Sequence, residues 1–180
     1  MTRSPLGWIP ILLLVAGCGL GSGGGSNPQS SAFVFITVDK FDPASVSSNV
    51  AQTSTDDTTA VTLRNNLRSP GLTTPSTLDD VLITSYSVSF SGPGPVPNPF
   101  TRAIIIRVPA GTVANGTVSG NVSDAVTIVV VQFIDKRNPP LNTITQTFQA
   151  TATITFRGTD GRGSKVEATG SLVVIFAPGA

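Results

Sequence analysis

The sequence predicts an all-β protein, and three observations carry that prediction. Thr, Ser and Val are abundant, whereas Glu occurs once, at Glu167, and Lys only at Lys40, Lys136 and Lys165. A chain this rich in β-branched residues and this poor in helix formers favours strands. No window carries an apolar stripe at helical period. Toward the C-terminus, apolar and polar side chains alternate with period two, and Pro/Gly/Ser/Asn loops separate the runs. That pattern fits a single antiparallel β-sandwich of about seven to eight strands.

In chain order, residues 33–38 are apolar on both faces, and 60–67 alternate through Val61, Leu63 and Leu67. Residues 81–90 start apolar on both faces, then set Tyr86, Val88 and Phe90 against Ser85, Ser87 and Ser89. Ile104, Ile106 and Val108 form the inward face of 103–108, residues 113–118 add a short strand, and 125–134 are again apolar on both faces. The last two runs alternate cleanly. Phe148, Ala150, Ala152, Ile154 and Phe156 face inward on one; Val166, Ala168, Gly170, Leu172, Val174 and Phe176 face inward on the other. Residues 39–59 and 91–99 read as two long connections, the second rich in proline and polyproline-like.

Parity constrains the turn between the last two runs. A two-residue Asp160-Gly161 turn pairs core Phe156 with Lys165, yet directly opposed residues share a face. An odd loop removes the conflict. A three-residue loop, Thr159-Asp160-Gly161 with Gly161 left-handed, pairs Ile154 with Val166 and Ala152 with Ala168. It sets Ala150 against Gly170, a shallow strip for large side chains from a facing sheet.

The N-terminus has a different character. Met1-Thr2-Arg3 is a short basic start, residues 6–15 are an apolar run, and small Ala16 and Gly17 lead into Cys18, the only cysteine. The order is that of a secretory signal. The run is far short of the roughly 20 apolar residues that span a bilayer. Leu14-Val15-Ala16-Gly17-Cys18 resembles the lipobox of bacterial lipoproteins. That resemblance implies that Cys18 is acylated, with palmitate among its acyl chains, and becomes the mature N-terminus. It also implies a lipid-anchored place in the cell envelope. Gly19 is not the Asp that retains such lipoproteins in the inner membrane, so the outer membrane is favoured in a diderm host. An ordinary signal, cleaved nearby, leaves Cys18 as a free thiol instead. The Gly/Ser-rich stretch that follows reads as a flexible tether. The organisation is therefore a signal peptide (1–17), a lipidated cysteine with its tether (18–32) and a β domain (33–180).

Removing 1–17 deletes only Arg3 among the charges, leaving 11 − 1 = 10 basic against 10 acidic residues and a formal net charge of zero. The basic residues are scattered, the closest pair in the domain being Lys136-Arg137. No basic patch offers the phosphate contacts of nucleic-acid binding, and membrane attachment falls to lipid. With Cys18 committed to lipid no disulfide forms, so the domain relies on its apolar core.

The chain has no histidine, which removes Ser-His-Asp and Cys-His nucleophilic sites and most zinc sites. Asp56-Asp57 and Asp79-Asp80 read as solvated turns, with calcium as the alternative use. No Asp-x-Asp-x-Asp spacing occurs. Arg157-Gly158-Thr159-Asp160 is interrupted as an Arg-Gly-Asp motif, and Asn115-Gly116-Thr117 and Asn121-Val122-Ser123 match a glycosylation sequon that a bacterial lipoprotein gives no use. Sugar platforms present Trp or Tyr faces; Trp8 lies in the signal and Tyr86 in the predicted core.

The whole of 33–177 resembles an immunoglobulin-like or fibronectin-III-like domain in architecture, without the Cys pair or core Trp of antibody domains. The expected protein is a lipid-anchored, non-catalytic envelope protein without cofactor, a protein-interaction or structural module. The alternative is a glycan- or calcium-binding module at the cell surface. Val129, Val131, Phe133, Val173 and Ile175 sit on the second face of two strands. They are the candidate patch for an envelope protein partner, unless the domain's own loops cover them.

Overall fold

The computed structural model describes residues 33–68, 75–115 and 117–179. Cys18 and the stretches read above as a signal and a tether lie outside the described residues. As predicted, the fold is all-β. Among the described residues there are eleven strands rather than seven or eight: β1 (Val34–Asp42), β2 (Ser45–Asn49), β3 (Asp57–Leu67), β4 (Val81–Ser91), β5 (Phe100–Val108), β6 (Thr112–Ala114), β7 (Thr117–Ser119), β8 (Asn121–Val122), β9 (Val126–Val131), β10 (Phe148–Asp160) and β11 (Lys165–Ala177). One sheet centres on β3, with β1 on one side and β8 and β9 in succession on the other. The second runs β2-β11-β10-β4-β5, and β6-β7 form a separate ribbon. Inward residues of both main sheets, such as Val34, Leu63, Ile128, Ile154 and Phe176, share one core.

The extra strands come from interruptions that hydropathy does not mark. Residues 39–59 are not a plain connection. The chain leaves β1 at Pro43, which has no N–H to donate to a ladder, and the Thr59 hydroxyl donates to the Pro43 carbonyl at 2.8 Å. It then joins the other sheet as β2, parallel to the end of β11. The strand beside β3 is cut into β8 and β9 at Ser123. There the Ser123 N–H donates to the Leu63 carbonyl (2.8 Å) and its Oγ accepts from the Leu63 N–H (3.1 Å). The side chain thus replaces a ladder partner.

Bulges explain the runs that looked apolar on both faces. In β4 the register jumps across Thr84, so Val81 and Ile83 face the same core as Tyr86 and Val88. Gly158 lies opposite that jump, where an added Cβ would collide with the backbone of Leu82 and Ile83. In β9 the jump at Asp57/Thr58 buries both Val130 and Val131. The apolar run then leaves the sheet: Phe133 and Ile134 are not strand residues but begin a short helix, α1 (Phe133–Arg137).

The β10–β11 hairpin keeps the predicted parity but not the predicted register. Gly158 pairs with Val166, Phe156 with Ala168 and Ile154 with Gly170; Arg157, not Ile154, lies opposite Glu167. The turn lies two residues further along than predicted, with Gly161-Arg162-Gly163 between Asp160 and Ser164, whose N–H and carbonyl meet at 2.9 Å, and Asp160 organises it. Its Oδ1 accepts from the N–H groups of Arg162 (3.0 Å) and Ser164 (2.7 Å). The left-handed residue is Gly163, at φ 84°, not Gly161. Opposite Ile154, Gly170 leaves room that Val38 and Phe41 of the facing sheet occupy. A filled shallow strip was expected at Gly170, with Ala150 rather than Ile154 opposite it.

Candidate functional site

The five residues of the predicted patch do not converge. Val131 is fully buried and Val129 half-buried on β9. Phe133, 36% exposed, sits on α1 with the Arg137 guanidinium 5.0 Å above its ring. Val173 (41% exposed) and half-buried Ile175 lie on β11, in the other sheet. The two proposed covering loops go elsewhere: Gly94 packs on the Phe148 ring, and 39–59 supplies β2, which pairs with β11 edge to edge. Tyr86 lies in the core, as expected, but also has a polar task. Its hydroxyl donates to the Val129 carbonyl (3.2 Å) and accepts from the Val129 N–H (3.0 Å). It thereby satisfies both backbone groups on the outer edge of β9 and ties the two sheets together. Burial pushes the Tyr86 phenol above its ordinary range, opposed by the Val129 hydrogen bond.

The adjacent Asp pairs are not solvated turns. They anchor two polar clusters at opposite ends of β3. At the helix end, three contacts clamp α1 to the residues that lead into β3. Asp56 Oδ1 accepts from the Phe133 N–H at 2.8 Å, Asp57 Oδ1 meets Lys136 Nζ at 2.9 Å, and Arg137 Nε donates to the Thr53 carbonyl at 2.8 Å. Lys136 is 0% exposed, the one buried Lys or Arg among the described residues. The other Asp57 oxygen, Oδ2, is buried with no hydrogen-bond partner. Arg102 reaches Asp56 Oδ2 and Gln132 Oε1, each at 3.2 Å. Asp135 also keeps a buried, unpartnered Oδ2, and burial holds its carboxyl above the usual carboxylate range. An open cleft of about 490 Å³ adjoins this cluster, between Val50, Thr53, Arg137, Asn142 and Ile144.

At the hairpin end, Asp79 is fully buried and fully partnered. Its Oδ2 accepts from the N–H (2.9 Å) and hydroxyl (3.1 Å) of Ser76, and its Oδ1 from Arg162 Nη2 (3.0 Å). Ser76 in turn caps the 3-10 turn Thr77–Asp79, completing a capping box. Burial pushes the Asp79 carboxyl up, but the Ser76 bonds and Arg162 outweigh it, and the net shift is downward. Arg162 stacks 4.7 Å over the Phe33 ring. Asp80 pairs with Arg107 at 2.6 Å and accepts from the Ala110 N–H at 2.7 Å.

Each of these four carboxylates is thus engaged by a cation or a backbone donor. Among the described residues, no three His, Cys, Asp or Glu side chains gather as metal ligands. Asn121 spends its amide on the Ala110 carbonyl (2.6 Å). No described helix is long and apolar enough to cross a membrane. Lys136 and α1 were missed from sequence because the apolar run 125–134 reads as one strand. The one available signal was Asp135-Lys136-Arg137, a charged triplet directly after that run.

No known protein family, no curated protein and no solved structure matches the chain.

Proposed function

We propose that this chain is a lipid-anchored, non-catalytic cell-envelope protein whose domain, residues 33–180, serves as a protein-interaction or structural module. The observation that carries the reading is the Val15-Ala16-Gly17-Cys18 junction, followed by a Gly/Ser-rich stretch. Acylation of Cys18 would hold the domain at a membrane surface through buried methylenes, each contributing about 0.8 kcal/mol. With Gly19 after the cysteine, the outer membrane is the favoured destination in a diderm host.

The proposal includes an immunoglobulin-like arrangement of the domain. Its support is the strand order: β1-β3-β8/β9 in one sheet and β2-β11-β10-β4-β5 in the other, with the first strand divided between sheets and its second half parallel to the last strand. Such sandwiches serve many unrelated functions, so architecture alone names no partner. The non-catalytic reading rests on the lack of histidine and on carboxylates tied into ion pairs and backbone bonds. Nothing in that chemistry favours the calcium or glycan alternative.

Metabolic labelling with a palmitate analogue tests the anchor. Wild-type protein is expected to take the label and fractionate with membranes, and Cys18→Ser to do neither. Equal labelling of both would end the proposal.

A further inference from the structure

The Lys136–Asp57 pair calls for an explanation that an ordinary ion pair does not supply. A buried ammonium and carboxylate are costly unless the remaining donors and acceptors are satisfied. Here Lys136 Nζ makes one hydrogen bond among the described residues, to Asp57 Oδ1 at 2.9 Å, and Asp57 Oδ2 makes none. Both partners are also held in place. Asp57 is fixed by its place opposite Val131 in the ladder, and Lys136 by a helix clamped through Asp56–Phe133 and Arg137–Thr53. An amine with no exposed surface and a carboxylate with little, in contact at 2.9 Å and unable to separate, have the proximity that makes a bimolecular reaction effectively intramolecular.

We propose that Lys136 and Asp57 condense to an isopeptide bond, a covalent cross-link between α1 and the first residue of β3. The balance requires no other reactant. The 2.9 Å hydrogen bond is the path by which one proton passes from Nζ to the carboxylate, giving a neutral amine and acid. The Nζ lone pair attacks Cγ, a second Nζ proton passes to the departing oxygen, and the C–O bond breaks. One carboxyl oxygen leaves as water with two protons from Nζ, and an uncharged amide N–H and C=O remain. Asp135, on the same helix with its carboxyl held up by burial, reports how dry the surroundings are. The cross-link would close a long stretch of chain in a domain without disulfides.

The inference is independent of the lipid anchor and is tested on peptides that do not contain Cys18. The full chain, extracted with detergent, is denatured and digested with trypsin. The expected product is fragment 41–64 joined to fragment 108–137, at their combined mass less one water, with no cleavage after Lys136. Fragment ions should place the bond between Asp57 and Lys136, and Asp57→Ala should yield only separate fragments whether or not it folds. Recovery of 41–64 and 108–136 solely as separate peptides from the wild-type chain would overturn the proposal. So would a joint at any other residue, or one that survives in Asp57→Ala.

Discussion

The two ends of β3 solve the same problem, a buried aspartate, in opposite ways. At the hairpin end, Asp79 is surrounded by donors: Ser76 supplies two, and Arg162 a third from a side chain that is 34% exposed. At the helix end, Asp57 has one donor, and that donor is a lysine with no exposure at all. The charge that neutralises Asp79 keeps contact with water, whereas the charge that neutralises Asp57 depends entirely on Asp57. The hairpin end is therefore locally complete. The helix end is a mutual dependence, in which removing either member strands the other.

Substitutions at the two ends should separate these cases. The largest effect is expected for Asp57→Ala, which leaves Lys136 buried without a counter-charge and should cost at least about 3–5 kcal/mol by denaturant titration. A cost well under that would erase the contrast. Asp79→Ala should cost less, about 1–3 kcal/mol, because Arg162 can turn to solvent and the main loss is the hydrogen bonds to Ser76. If Asp79→Ala proves the more damaging, solvent access of the cation does not decide the outcome. Gly163→Ala tests the local order of the hairpin end. A Cβ at φ 84° should cost about 1–2 kcal/mol, and an unchanged melting temperature would mean that the loop adapts.

The smallest effect is a matter of pH, and its sign differs between the ends. Asp79 has its folded pKa below the ordinary 3.8, so its contribution is present above 3.8 and lost as pH falls through the lowered value. Asp135 has its folded pKa raised above 3.8 by burial. Its ionisation therefore weakens the fold at neutral pH, and the penalty is relieved as pH falls toward 3.8. Asp135→Asn should accordingly melt higher than the parent at neutral pH, with the gain shrinking on acidification. A gain that stayed constant or grew at lower pH would contradict this.

Much of the fold was legible in period-two patterning, and what escaped it has a common cause. Alternation gave β10 and β11 their inward faces correctly, from Phe148 to Phe176, because burial on one side of a strand dictates that pattern. It gave the parity of their turn but not its position, because Asp160 sets the position through bonds to backbone N–H groups. A hydropathy pattern does not register such bonds. The same holds at Ser123 and Pro43, where a hydroxyl and a missing donor bound the short strands β8 and β2 in stretches not read as strands. Of the helix-end cluster, only the Asp pair and the charged triplet were visible. That Lys136 would turn inward follows from α1 folding back on 53–57, a tertiary event. The candidate patch failed to assemble for a related reason. Alternation says which side chains share a face of one strand, and is silent on which strands share a sheet.

The parallel pairing of β2 with β11 has a mechanical consequence. Val173 to Ala177 run alongside Ser45 to Asn49 in the same direction, so the chain enters this ladder at one end and leaves it at the other. Tension between the segment before residue 33 and the segment after residue 177 would pull the two strands along their length, in opposite directions. Every bond of the ladder would then carry load at once, as in a lap joint, instead of parting in turn as a peeled seam does. A domain tethered at its beginning and gripped at its end would resist up to one abrupt rupture. Single-molecule stretching from those two points should show that rupture, and gradual low-force opening would contradict it.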